Sequence, residues 1–135
     1  MPEKAATLPE VLATHVKKHA DRPHISLWLS DENEKRITYA DLDTAARAVA
    51  GGLLERGLQP GERFAIMLPT EAGFFEAFLG VVLAGGVPVP IYPPFRRAQI
   101  EEHLRRQAGI LRNAQASFLV TSTEVHRLGV LLHSL

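Results

Sequence analysis

Arg63-Phe64-Ala65-Ile66-Met67-Leu68 and Val87-Pro88-Val89-Pro90-Ile91 are two short, nearly all-apolar runs, and the apolar segment between them closes on Gly85-Gly86. Each has strand length and no polar alternation, the pattern of a parallel strand covered on both faces. From Thr70 to about Ala84 only Glu71 and Glu76 interrupt the apolar residues, which predicts a deeply buried helix. Its small residues Gly73, Gly80 and Ala84 lie on one face with Glu76. Glycine costs a helix roughly 1 kcal/mol relative to alanine, so a close neighbour is expected there. Pro88 and Pro90 cannot donate to a ladder, which puts their side at an edge or a bend. Ala98 to Asn113 predicts another helix, Ser117 to Thr121 a third strand, and Ser122 or Thr123 the start of a last helix. The order β-α-β-α-β-α implies a parallel sheet with right-handed crossovers.

Working back toward the N-terminus, Thr7-Leu8-Pro9-Glu10 is a capping box in which each side chain satisfies the other residue's free N–H. The helix it opens carries Leu8, Val11, Leu12 and Val16 on one stripe and ends near His19-Ala20. His24 to Ser30 alternates Ile25, Leu27 and Leu29 with Ser26, Trp28 and Ser30, a strand period. Asp31 to Glu34 makes the turn and Lys35 to Thr38 returns, so a hairpin is expected. Thr38-Tyr39-Ala40-Asp41 starts a helix with Leu42, Ala45, Ala46, Val49, Leu53 and Leu54 on its apolar side and Gly57 closing it. The fold class is therefore α/β, a mainly parallel sheet flanked by helices with an antiparallel β-hairpin near the N-terminus.

The chain has 135 residues, the length of one ordinary domain, and 46% of them are hydrophobic, a globular composition. Fifteen basic residues balance fifteen acidic ones, which argues against a nucleic-acid or anionic-membrane binder. The absence of cysteine excludes disulfides, thiolate metal sites and cysteine nucleophiles. The longest uncharged apolar run, Ala77 to Ile91, falls short of the ~20 residues of a membrane helix and is broken by glycine and proline. No secretory h-region follows Met1, so a cytoplasmic location is expected.

Ligands of parallel α/β sheets sit beyond the carboxyl ends of the strands. Here those ends are Pro69-Thr70, Tyr92 to Arg97, and Thr121-Ser122-Thr123. The middle loop offers Tyr92, Phe95, Arg96 and Arg97 before a helix N-terminus, a place that attracts anions. The plainer alternative wedges Tyr92 and Phe95 against the core and leaves the arginines solvated. The helix that follows pairs Glu101 with Arg105 and Glu102 with Arg106, each pair worth about 0.2–0.5 kcal/mol, opposite a stripe of Ile100, Leu104, Ala108 and Leu111. That is a core helix, not a basic face. His15 and His19 stand one turn apart without a third ligand, and His103 is an isolated helical histidine better suited to packing than to general-base chemistry. No phosphate loop, no dinucleotide glycine fingerprint and no serine elbow occurs. No residue is assigned as catalytic, cofactor-binding or metal-ligating, and the residues alone describe an α/β domain of unknown ligand.

Arg36-Ile37-Thr38-Tyr39-Ala40-Asp41-Leu42, Ala50 through Gly57, Pro60-Gly61-Glu62-Arg63, Leu68-Pro69-Thr70 and Ala77 through Pro90 resemble, in order, the opening of an adenylate-forming enzyme. The likeness runs over about residues 7–123. Pro88 through Pro94, then Arg96, His103, Arg106 and Ile110, most resemble the fatty acyl-AMP ligases, and ordinary acyl-CoA synthetases resemble this stretch less around Tyr92-Pro93-Pro94. The resemblance implies a full-length parent that uses ATP and magnesium to turn a long-chain fatty acid into an acyl-adenylate. It also implies transfer of the acyl group to an acyl carrier protein. By their place at a strand end, Tyr92, Phe95, Arg96 and Arg97 are the candidates for acyl or carrier contacts. The family's phosphate loop, ribose-binding aspartate and catalytic lysine have no counterpart in these residues. Residues 1–135 are therefore expected to be a partial N-terminal domain of the AMP-binding type, truncated at its C-terminal end, inactive alone and without bound cofactor. Val125, Leu128, Leu131, Leu132 and Leu135 keep an apolar period to the last residue, so a cut surface and self-association are expected. Three alternatives stand beside this reading: an acyl-CoA synthetase or peptide-synthetase adenylation domain, a non-catalytic docking module, and a flavodoxin-like binder of nucleotide or flavin.

Overall fold

A computed structural model describes residues 4–94, 99–123 and 126. Helix α1 (Leu8–His19) is capped by the Thr7 hydroxyl, which accepts from the Glu10 amide at 3.4 Å. The return half of the expected box is displaced. Glu10 Oε2 accepts from the Ala6 amide at 2.7 Å, one residue before the cap. At Thr38 the box closes in both directions, with the Asp41 amide on the threonine hydroxyl at 3.1 Å and the Thr38 amide on Asp41 Oδ2 at 3.2 Å. Aspartate is one methylene shorter and stops at the cap itself, whereas glutamate reaches past it.

The hairpin joins β1 (Pro23–Ser30) to β2 (Asn33–Thr38) through two residues, Asp31 and Glu32, not the four expected, because Asn33 and Glu34 already pair with Ser30 and Trp28. A register shift between Trp28 and Ser30 breaks the alternation, and Leu29, expected inward, is exposed. Helix α2 (Tyr39–Glu55) buries Leu42, Ala46, Ala50 and Leu53. Leu54, assigned to the same stripe, is exposed, since neighbours on a helix point about 100° apart and Leu53 takes the inward place.

Strands β3 (Arg63–Met67), β4 (Val87–Pro90) and β5 (Ala116–Thr121) form a parallel sheet in the order β4-β3-β5. Central β3 is buried from Phe64 to Met67, as its unbroken apolar run requires. On β4, Val87 donates to Glu62 at 2.8 Å, and beyond the strand Ile91 donates to Ile66 at 2.9 Å. The intervening Pro88 and Pro90 therefore turn their missing donors outward, which fits an edge strand. The chain passes from β3 to β4 on one side and then across β3 to β5 on the other. With right-handed crossovers, α3 (Ala72–Leu83) and α4 (Ile100–Ala114) fall on opposite faces of the sheet.

Helix α3 is apolar all round for a reason other than the expected deep burial. Only Ala77, Gly80 and Val81 are buried within it, and its aromatic residues are half-buried. Its Ala77 and Val81 join Ile66, Phe64 and Leu53 over the sheet, while Ala72, Phe75 and Leu79 pack on the hairpin cluster of Leu12, Leu27, Ile37 and Leu42. The helix is a wall shared by two cores. Of its two glycines, Gly80 alone meets a close neighbour: a Cβ there would lie 2.5 Å from Val49 Cγ1 and 3.1 Å from the Ala46 carbonyl oxygen. At Gly73 the nearest atom would be 3.6 Å away. Gly85, with φ of +85°, turns the chain out of α3 into β4.

In α4 the Glu101–Arg105 and Glu102–Arg106 pairs form at 2.6 and 3.1 Å. The inward stripe differs from the expected one, because Gln107 is buried and Ala108 is exposed. A row of every fourth residue drifts about 40° per step, and Gln107 lies between Leu104 and Leu111, three residues from one and four from the other. The expected start at Ala98 lies outside the described residues, as do Val125, Leu128, Leu131, Leu132 and Leu135, the apolar positions expected for a last helix. Among the described residues, no helix is long and apolar enough to cross a membrane.

Gly80→Ala should lower unfolding stability in urea by about 1–3 kcal/mol, despite alanine's advantage in an isolated helix. Adding Val49→Ala should return part of the loss, because it removes the atoms the new methyl meets. Equal stability of wild type and Gly80→Ala would refute the close approach of α2 and α3.

Candidate functional site

Parallel strands deliver their following loops to one end of the sheet. At that end, β3 exits through Leu68, Pro69 and Thr70, and β4 continues through Ile91, Tyr92 and Pro93. With Phe74 from the first turn of α3 and Pro90, these residues enclose a cavity of about 370 Å³. Three of the lining residues are prolines, which bring no N–H in need of a partner. The Ile91 amide is already used by the Ile66 carbonyl oxygen. Polar side-chain atoms in the lining are limited to the Thr70 and Tyr92 hydroxyls, and no charged side chain lines it. Such a cavity can bury an apolar ligand and orient it with one or two hydroxyls. It does not fit the phosphates of a nucleoside triphosphate, which need cations or a cradle of backbone amides.

Two of the three expected strand ends meet here, and the third does not. Thr121 and Thr123 line a separate groove of about 740 Å³ beside α2, with Leu53, Arg56 and Phe118. The order β4-β3-β5 puts β5 on the far side of β3 and thereby separates the two places. Of the candidate residues, Tyr92 stands at the cavity, 71% exposed, and its carbonyl oxygen lies 2.7 Å from His103 Nε2. Phe95, Arg96 and Arg97 lie outside the described residues. Leu68 and Phe74 carry no mark of a site in the sequence, where they are indistinguishable from core. The only signal for them is position, one just after a strand and the other just inside the next helix.

The model of the family described as AMP-binding enzyme matches residues 12–133. The chain belongs to that family. Among the relatives of this AMP-binding family chain, the coprinoferrin synthetase of Coprinopsis cinerea is 35% identical over 76% of the chain, and the long-chain-fatty-acid–CoA ligase of Bacillus subtilis is 31% identical over 90%. The chain spans 4% and 20% of the lengths of these two proteins. The crystal structure of a fatty acyl-adenylate ligase of Legionella pneumophila, in complex with acyl adenylate and pyrophosphate, superimposes with a TM-score of 0.82 at 27% identity. That match covers 92% of this chain and 21% of the other. The hairpin, the parallel sheet and its flanking helices are thus an N-terminal part of the AMP-binding fold.

In this AMP-binding family member His15 of α1 serves packing, while His19 is exposed. The ring of Tyr39 is stacked against His15 at 4.8 Å and against His24 at 4.5 Å, with interplanar angles of 12° and 20°. His19 lies 6.2 Å from His15, ring centre to ring centre. Among the described residues, no group of three or more His, Cys, Asp or Glu could hold a metal ion. Partial burial, and then the like charge of His19 with smaller effects from His24 and Arg22, holds His15 below its usual 6.5. A histidine with a lowered folded-state pKa binds its proton more weakly than the unfolded chain does. Stability from His15 is therefore full above pH 6.5 and is lost as pH falls through 6.5 toward the lower folded value. His15→Gln should flatten the fall in thermal midpoint on acidification through that range. An unchanged pH profile in the variant would remove His15 from the cause.

Proposed function

We propose that residues 1–135 form part of the N-terminal AMP-binding-type domain of a long-chain fatty acyl-AMP ligase. In this reading the whole enzyme is an acid-activating ligase. It couples a fatty acid to ATP with magnesium, giving acyl-adenylate and pyrophosphate, and passes the acyl group to an acyl carrier protein. The observation that carries the reading is the apolar cavity at the ends of β3 and β4, free of charged lining and rimmed by Tyr92. A hydrocarbon chain is the ligand such walls stabilise, because every buried methylene contributes about 0.8 kcal/mol and no charged side chain of the lining has to be desolvated. The Legionella ligase bound to acyl adenylate supports the same class. Arg96 and Arg97, which follow the cavity wall in sequence, are proposed to meet the carboxylate or the carrier protein.

The second reading, a peptide-synthetase adenylation domain, draws on the nonribosomal peptide synthetases among the relatives. An amino acid brings an ammonium group, and the cavity lining holds no carboxylate to pair with it. The two readings separate in one amide NMR titration. Dodecanoate should shift the resonances of Leu68, Thr70, Phe74, Ile91 and Tyr92, and phenylalanine should leave them in place. Thr70→Trp, which fills the cavity from an exposed position, should weaken dodecanoate binding by at least about tenfold, or about 1.4 kcal/mol, while Leu54→Trp leaves it unchanged. Shifts with phenylalanine and none with dodecanoate would overturn the fatty-acid assignment. The 135-residue chain alone should release no pyrophosphate from ATP and dodecanoate, and turnover above a protein-free blank would contradict its proposed inactivity.

A further inference from the structure

We infer that His103 is a positioning residue for the cavity, a side-chain clasp that holds the outer wall by donating its Nε2–H to the Tyr92 carbonyl oxygen. The last backbone bond that ties this wall to the sheet is Ile91 to Ile66 at 2.9 Å. Beyond it, Pro93 and Pro94 have no N–H to give, and among the described residues the stretch 92–94 makes no backbone–backbone hydrogen bond. Among the described residues, the bond from His103 is the one hydrogen bond made by Tyr92, Pro93 or Pro94. It is short, 2.7 Å, and joins residues eleven apart in sequence.

The surroundings leave His103 free for this work. It is the fourth residue of α4, and the neighbouring carboxylates of Glu101 and Glu102 are each engaged by an arginine one turn on. A carbonyl oxygen only accepts, so Nε2 must carry a proton and Nδ1 holds the lone pair in the neutral ring. The clasp links the wall, and the Tyr92 side chain at its rim, to the position of α4. Of the residues this strand end gives to the lining, Pro90 and Ile91 are held by β3, while Tyr92 and Pro93 depend on α4 for their place at the rim.

The effect on ligand binding rests on the fatty-acid reading given above, but the clasp itself does not. Two measurements on the 135-residue chain keep them apart. In the ligand-free chain, nitrogen NMR of the imidazole should show the Nε2–H tautomer, and His103→Ala should shift the amides of Ile91 and Tyr92 and of Leu68 and Thr70 across the cavity. Glutamine places an amide N–H near the site of Nε2, so His103→Gln should restore those shifts, as mere helix packing would not require. Dodecanoate should bind His103→Ala about two- to tenfold more weakly than wild type, the loss of one net hydrogen bond, with recovery in His103→Gln. An Nδ1–H tautomer, or cavity amides unmoved in His103→Ala, would overturn the clasp whatever the ligand does. The expected tautomer and amide shifts in a chain that does not bind dodecanoate would uphold the clasp and sink the fatty-acid reading instead.

Discussion

The approach of α2 to α3 at Gly80 is the constraint on which the rest of the molecule depends. A helix that must cover a parallel sheet and also close the core of a hairpin has no solvent face to spare, and its aromatic residues are accordingly half-buried on more than one side. It can serve both cores only if α2, which also belongs to both, comes near enough to join them. Ala46, Ala50 and the missing side chain at position 80 make room for that contact. The helix-forming tendency surrendered at Gly80 is small against the apolar area that two interlocked cores remove from water.

The same helix sets the candidate site. By entering directly after the β3 exit, α3 brings Phe74 across the ends of β3 and β4 and closes a cavity whose other walls are proline-rich loop. Proline serves here twice. On β4 it turns the donor-free side of the strand outward, and beyond the strand it withholds N–H donors from the wall that would face an apolar ligand. It also leaves that loop few donors with which to fasten itself, and a histidine from the next helix supplies the fastening.

Much of this was legible from short-range rules, and the misses have a common character. The three parallel strands, the burial of β3, the Thr38 cap and the edge character of β4 follow from local chemistry and were expected, whereas the coverage on both faces that the apolar run of β4 predicts is absent, because an edge strand leaves Val87 and Pro90 exposed. Leu29, Leu54 and Ala108 were placed inward by simple period counting. A bulge, a competing neighbour and the drift of an every-fourth-residue row put them outside. Gln107 is the converse case, a polar residue that the geometry of α4 carries inward between two leucines. At the site, Pro69, Thr70, Tyr92 and Pro93 were marked by their place after strands, whereas Phe74 and Leu68 carry no mark that distinguishes lining from core.

Local sequence determined the elements, their order and the α/β class, because caps, periods and prolines act within a few residues of themselves. It also carried the likeness to adenylate-forming enzymes, since that likeness is a succession of short motifs. The tertiary structure alone decided which strand ends meet, because that depends on the order β4-β3-β5, which no local signal encodes. It decided which small residue matters, and it brought His103 to Tyr92. Those facts depend on atoms distant in sequence coming within a few ångströms, and only the packed chain specifies such distances.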